Sequence, residues 1–167
     1  MSAAAQYQAP ERLRGFAAVL RSLDEHGVDY EIVRHGSTCS AMTDARAGGT
    51  PPRRVIKAVA VRAGGRLVAI ALPASERVHM RRVRHLLGDP GAWLVTEAEL
   101  ARELPDLDAG ALSPFGAPAP PLALVDRRVR SCNWVLANGG DDRHSLRVSP
   151  LEIVRISHAR VVDIAED

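Results

Sequence analysis

Lys57 is the only lysine among the chain's 22 lysines and arginines. It interrupts the apolar run Val55-Ile56-Lys57-Ala58-Val59-Ala60-Val61. An ammonium is a compact point charge, whereas a guanidinium is planar and forked, so a lysine kept in an arginine-rich chain suits a confined cationic site. The same residue also fits a stem that runs along a strand and carries its charge to water. A second group is the segment Gly110-Ala111-Leu112-Ser113-Pro114-Phe115-Gly116. Two glycines around a proline-fixed turn can gather backbone N–H groups into an anion-binding nest. In acyl transfer such donors form an oxyanion hole. Gly and Pro also serve as plain turn formers. Ser113 and Ser145 carry hydroxyls, but the sequence identifies no general base for either, as nucleophilic catalysis requires. There is no G-x-S-x-G elbow and no H-E-x-x-H helix, so neither a hydrolase triad nor a metal centre is expected.

The elements that must carry these groups follow from periodicity. Leu13, Phe16, Ala17, Leu20 and Leu23 recur at helical spacing within 11–25, with Gly27 placed to end the helix. Tyr30, Ile32 and Val33 predict a short strand, 40–47 a short helix, and Thr50-Pro51 the start of another just before Lys57. Residues 55–62 and 66–72 predict two strands joined by Ala63-Gly64-Gly65, both nearly continuously apolar, as strands covered on both faces are. A helix is expected over Glu76–Leu87, closed by Gly88. A strand at Trp93-Leu94-Val95 follows, then a helix from Thr96 with the capping box Thr96/Glu99. Residues 105–121 form a loop too long for a simple turn. Strands at Leu122–Val125, Trp134–Ala137 and His144–Val148, a second capping box Ser149/Glu152, and a strand at Arg160–Ile164 complete the chain. Short strands alternating with helices predict a single α/β domain around a mixed, mostly antiparallel sheet with a barrel-like core. Residues 1–9 are expected as a disordered tail before one domain over 10–167.

The 167 residues match one domain, with 46% hydrophobic and 25% charged residues and only 4% aromatic. A net charge of +2 is compatible with nucleic acid without indicating it. Cys39 and Cys132 have no CxxC spacing and read as buried reduced thiols. No secretory signal or membrane span is read from the sequence, and a cytoplasmic location is expected.

The order of these pieces resembles the YbaK/EbsC-type aminoacyl-tRNA deacylase family, free-standing relatives of the editing domain inserted in some bacterial prolyl-tRNA synthetases. The resemblance spans about 30–164. It rests on Val55-Ile56-Lys57, the G-x-x-x-P-F-G loop at 110–116, Leu124-Val125-Asp126, and His144-Ser145-Leu146-Arg147-Val148-Ser149-Pro150. It implies a compact mixed-sheet domain that hydrolyses the ester of mischarged tRNA, a small amino acid such as Ala, Cys, Ser or Thr on a noncognate tRNA. No metal or organic cofactor is implied. By family position, Lys57, Gly110 and His144 are the candidate catalytic residues. Ser113, Pro114, Phe115, Gly116, His35 and Asp126 are the candidate substrate-binding ones. Ala58 departs from the family, which often has a polar residue after the lysine.

Two other functions stay open: a non-catalytic module that binds aminoacyl-tRNA or a synthetase partner, and a hydrolase of another small aminoacyl ester. Arg77, Arg81, Arg82, Arg84, Arg127, Arg128 and Arg130 are candidate contacts to acceptor-stem phosphates. If they serve that role, deacylation falls steeply as salt is raised, and a salt-independent rate counts against them.

Overall fold

The computed structural model describes residues 14–36, 49–107, 112–116 and 119–167. The expected N-terminal tail, the 40–47 helix, Cys39 and Gly110 lie outside those residues. Eight strands form one open mixed sheet: β1 (Tyr30–Arg34), β2 (Val55–Ala63), β3 (Arg66–Pro73), β4 (Trp93–Leu94), β5 (Leu122–Asp126), β6 (Val135–Asn138), β7 (His144–Val148) and β8 (Arg160–Val162). Their order is β1-β7-β6-β2-β3-β5-β8, with β4 added to β2. Antiparallel pairings are a narrow majority, because β2–β6, β3–β5 and β5–β8 run parallel. β1 and β8 are the two ends of the ordered path.

Among the described residues four α-helices flank the sheet: α1 (Arg14–Glu25), α2 (Met80–Leu87), α3 (Glu97–Glu103) and α4 (Pro150–Ser157). α1 buries Phe16, Val19, Leu20 and Leu23, an i, i+3, i+4, i+7 stripe, in the same core as Ile153 of α4. That core also holds Ile56, Ala60, Ala69, Ala71, Val125, Ala137 and Leu146 from the sheet. On the other face, Val83, Leu86 and Leu87 of α2 pack with Val59, Val61, Ile70 and Leu124. β2 and β3 are therefore apolar on both faces because helices lie on both, as their sequence predicts. α1 reaches the sheet end closely: a Cβ on Gly15 would collide with the carbonyl oxygen of Gly140, itself at φ +99°.

The hairpin between β2 and β3 turns through Gly64 (φ +55°) and Gly65 (φ +73°), the two positive φ values of a type I′ turn. The capping box of α3 forms as expected, with Thr96 Oγ1 accepting from Glu99 N–H and the Glu99 carboxylate accepting from Thr96 N–H. The one expected at α4 does not. Ser149 makes no cap bond and Glu152 instead accepts from Arg155, while Pro150 occupies the first turn. Before β2 the helix is a 3-10 turn over Pro52–Arg54, with Pro51 rather than Thr50 at its cap.

α2 begins four residues later than its sequence pattern predicts. His79 N–H donates to Ile164 O and Glu166 N–H donates to Arg77 O, so pairing with the C-terminal segment draws 77–79 out of helical geometry. That segment is held by Asp126, which is fully buried. Its Oδ2 accepts from the N–H groups of Ile164 and Ala165, and both oxygens accept from Arg128. The same anchoring ends β8 at Val162 rather than at 164. Removing one partner of a buried pair leaves uncompensated polar groups at a cost of about 3–5 kcal/mol. Asp126→Ala is expected to lose about that much stability, read as a lowered urea midpoint.

Candidate active site

β2 alternates its side chains, so Val55, Lys57, Val59 and Val61 share one face and Ile56, Ala58 and Ala60 the other. The second set joins the α1-side core, including Ala58. Lys57 therefore projects on the α2 side. Ala58, the residue after the lysine, points away from Lys57 into apolar packing.

The registers define a row across the sheet at the level of Lys57. Leu72 of β3 is its direct partner. β2 and β6 pair at Val55/Leu136 and Ile56/Ala137, and the next step of that register sets Lys57 beside Asn138. Asn138 pairs with Ser145, and Ser145 with Val33. Two residues beyond Val33, on the same face, His35 comes back to Ser145: its Nε2 is 3.0 Å from the hydroxyl. His35 Nδ1 is 2.8 Å from Gly36 O. A carbonyl only accepts, so Nδ1 carries a proton, and Nε2 is left to pair with the Ser145 hydroxyl. The fold thus places the imidazole of His35, not that of its chain neighbour His144, against Ser145. Ser145 is buried and His35 half-buried.

Lys57 itself is half-buried, and its Nζ donates to the backbone carbonyl of Glu76, in the segment the C-terminal residues keep extended. An ammonium carries three donors, so this bond leaves others for a ligand. Burial lowers its pKa from the usual 10.5, the nearby Glu76 carboxylate opposes that shift, and Arg77 adds to it.

His144 is on the α1 face of β7, in line with Leu146, and is buried. Its Nδ1–H donates to Asp141 Oδ2 at 2.6 Å, and its ring stacks on Phe16 with centroids 3.9 Å apart. Neither Asp141 nor Phe16 was a candidate from sequence, because only the fold brings α1 onto the 139–144 turn. Asp126 lies on the Lys57 face two strands away, about 10 Å at ~4.8 Å per strand. Its carboxylate accepts from Arg128 and from the amides of Ile164 and Ala165. Of the loop, Ser113, Pro114 and Phe115 are buried and Gly116 has φ +89°. Leu112 and Phe115 anchor it in the α1-side core, and Ser113 Oγ accepts from Phe115 N–H at 3.3 Å. The Phe115 side chain is core packing. Gly110 lies outside the described residues. Cys132 is half-buried, its Sγ 3.8 Å from Arg53 O. Among the described residues no His, Cys, Asp and Glu side chains group as metal ligands, and no helix is long and apolar enough to cross a membrane.

Several of the arginines expected to face phosphate are engaged within the fold. Arg82, Arg127 and Arg128 bind Asp163, Arg82 also binds Asp167, and Arg84 donates to Ala92 O.

Because Lys57 is the sole lysine, its charge state can be followed alone. After reductive methylation with carbon-13 label, two signals are expected, the N-terminal amine and Lys57. The lysine midpoint should fall below 10.5, so the ammonium is complete only below that depressed value. Glu76→Gln lowers the midpoint further and Arg77→Ala raises it, since the two charges act with opposite sign. A midpoint at or above 10.5 contradicts the burial described.

The profile of the aminoacyl-tRNA editing domain family matches residues 35–156. A search of curated proteins returns no match. Among solved structures, one described as a proposed trans-editing enzyme for prolyl-tRNA synthetase superposes with a TM-score of 0.78 at 24% identity, covering 96% of this chain and 100% of its own. A hypothetical protein superposes with a TM-score of 0.80 at 25% identity, covering 89% of this chain and 99% of its own. The eight-stranded fold that carries Lys57 is thus shared with these structures over nearly its whole length, and the family match, which starts at His35 just after β1, spans the Lys57 strand, the 112–116 loop and both residues of the His35–Ser145 pair. The chain belongs to the aminoacyl-tRNA editing domain family.

Proposed function

We propose that this editing domain acts in trans as an aminoacyl-tRNA deacylase, hydrolysing the ester of a small amino acid such as Ala, Cys, Ser or Thr on a noncognate tRNA. The observation that carries the reading is Lys57: one half-buried ammonium, tied by a single bond to the Glu76 carbonyl, at the head of a row that also holds the His35–Ser145 pair. Its remaining donors suit an oxygen of the aminoacyl-adenosine end. The loop 110–116 supplies the oxyanion donors in this reading, by its family position, with Ser113, Pro114 and Gly116 shaping it. Water adds to the ester carbonyl carbon, the bond to the ribose oxygen breaks, and that oxygen takes the proton released by the water. An activated ester needs little beyond positioning and donors aimed at the developing charge. His144 and Asp126 enter as supports of the sheet. No metal or organic cofactor is invoked.

A deacylation assay on a panel of mischarged tRNAs tests this. Hydrolysis of at least one small noncognate aminoacyl-tRNA is expected. Lys57→Ala is expected to slow it by about 10²-fold or more, the scale of one lost donor to a developing charge. Lys57→Arg should not restore the rate, because a forked guanidinium does not fit a point-charge site. Gly110→Ala should likewise lose most of the activity with the fold retained. Binding of aminoacyl-tRNA without hydrolysis would instead make the chain a non-catalytic module.

A further inference from the structure

Trp134, half-buried just before β6, holds two guanidiniums against its ring. Arg54 Cζ is 4.5 Å and Arg147 Cζ 4.1 Å from the ring centroid. Arg54 is further fixed by donating to Asn133 Oδ1 at 2.8 Å and to Trp134 O at 3.2 Å. Arg147 is exposed on β7 and lies on the same face as Ser145, two residues away. Arg53, beside Arg54, is exposed too. Among the described residues none of these three arginines forms an ion pair, and Glu31, which faces Arg147 in the β1–β7 register, makes none with it. Cations stacked on an aromatic ring keep their orientation and leave their N–H edges for an anion. Arg82, Arg127 and Arg128 are paired directly with Asp163, whereas Arg54 and Arg147 are held by the ring of Trp134, with the carboxylates of Asp29, Glu31 and Glu152 nearby but not ion-paired to them. Arg54 also lies only three residues before Lys57 on the same chain segment, about 10 Å at ~3.3 Å per residue.

We infer that Arg54 and Arg147, stacked on Trp134, together with the neighbouring exposed Arg53, form the surface that takes the phosphate backbone of the tRNA acceptor arm while the aminoacyl end reaches Lys57. This rests on the deacylase reading for its ligand. Rigid, planar donors beside an aromatic ring are the combination that tracks a nucleic-acid strand without reading its bases. The surface takes this role in place of Arg82, Arg84, Arg127 and Arg128, which are engaged within the fold.

The test is filter binding of uncharged tRNA to the full chain across a salt series. The variants are Arg53→Ala/Arg147→Ala, both at exposed positions, and Arg66→Ala, exposed at the start of β3 beside the β2–β3 turn. The double variant is expected to bind about 10-fold or more weakly and to lower the slope of log Kd against log salt by about one per lost contact. Arg147→Lys, which keeps the charge but not the planar stack, should recover only part of the loss. Arg66→Ala should bind like the unaltered chain. Unchanged affinity and slope in the double variant, an equal loss in Arg66→Ala, or no tRNA bound by the unaltered chain would overturn the inference. Uncharged tRNA is the probe, so the outcome separates from catalysis. Specific binding without deacylation sinks the enzyme reading alone, and deacylation with binding indifferent to these arginines sinks the docking surface alone.

Discussion

The buried carboxylate of Asp126 governs the geometry around Lys57. It accepts from Ile164 and Ala165 and so fastens the C-terminal segment beside β5. That segment pairs in turn with Arg77 and His79, which delays the start of α2 and leaves Glu76 outside the helix. The Glu76 carbonyl is then available to Lys57. A carbonyl inside α2's first turn would be committed to the helix ladder. A group expected to meet substrate thus shapes the lysine site at a distance, through backbone bonds that only the folded chain brings together.

Two-residue alternation along β2 and β7 is the second constraint. It separates the chain's polar candidates by face, Lys57 and Ser145 on one side, His144 on the other. A polar side chain on the α1 side must be satisfied within a dry core, and His144 is, through Asp141 and the ring of Phe16. On the Lys57 side the apolar cover of α2 ends near Val59, and Val55, Leu136, Val33 and Ala74 form only a small cluster. That thinner cover is where a half-buried ammonium and a hydroxyl–imidazole pair can coexist with a ligand.

Arginine-rich composition has two consequences in this fold. Part of the positive charge knits the β5 end to the C-terminus through Asp163 and Asp126, and such arginines are spent on structure. Another part is stacked on Trp134 without a carboxylate partner among the described residues. Counting charges along a helix, as the sequence invites for Arg81, Arg82 and Arg84, cannot distinguish these cases, since the neutralising acids are about 80 residues away.

Local signals carried much of the architecture. The type I′ hairpin follows from two adjacent glycines, the α3 cap from Thr96 and Glu99, and the covered central strands from unbroken apolar runs. The lone lysine and the family order of motifs were legible for the same reason, being properties of residue type and spacing. What the tertiary structure alone decided is which groups meet. Sequence spacing does not say that His35 reaches Ser145 across 110 residues, that the 163–166 segment unwinds the start of α2, or that His144 turns from Lys57. Those outcomes depend on strand register and on long-range backbone bonds, and a shift of register by one residue would reverse every face.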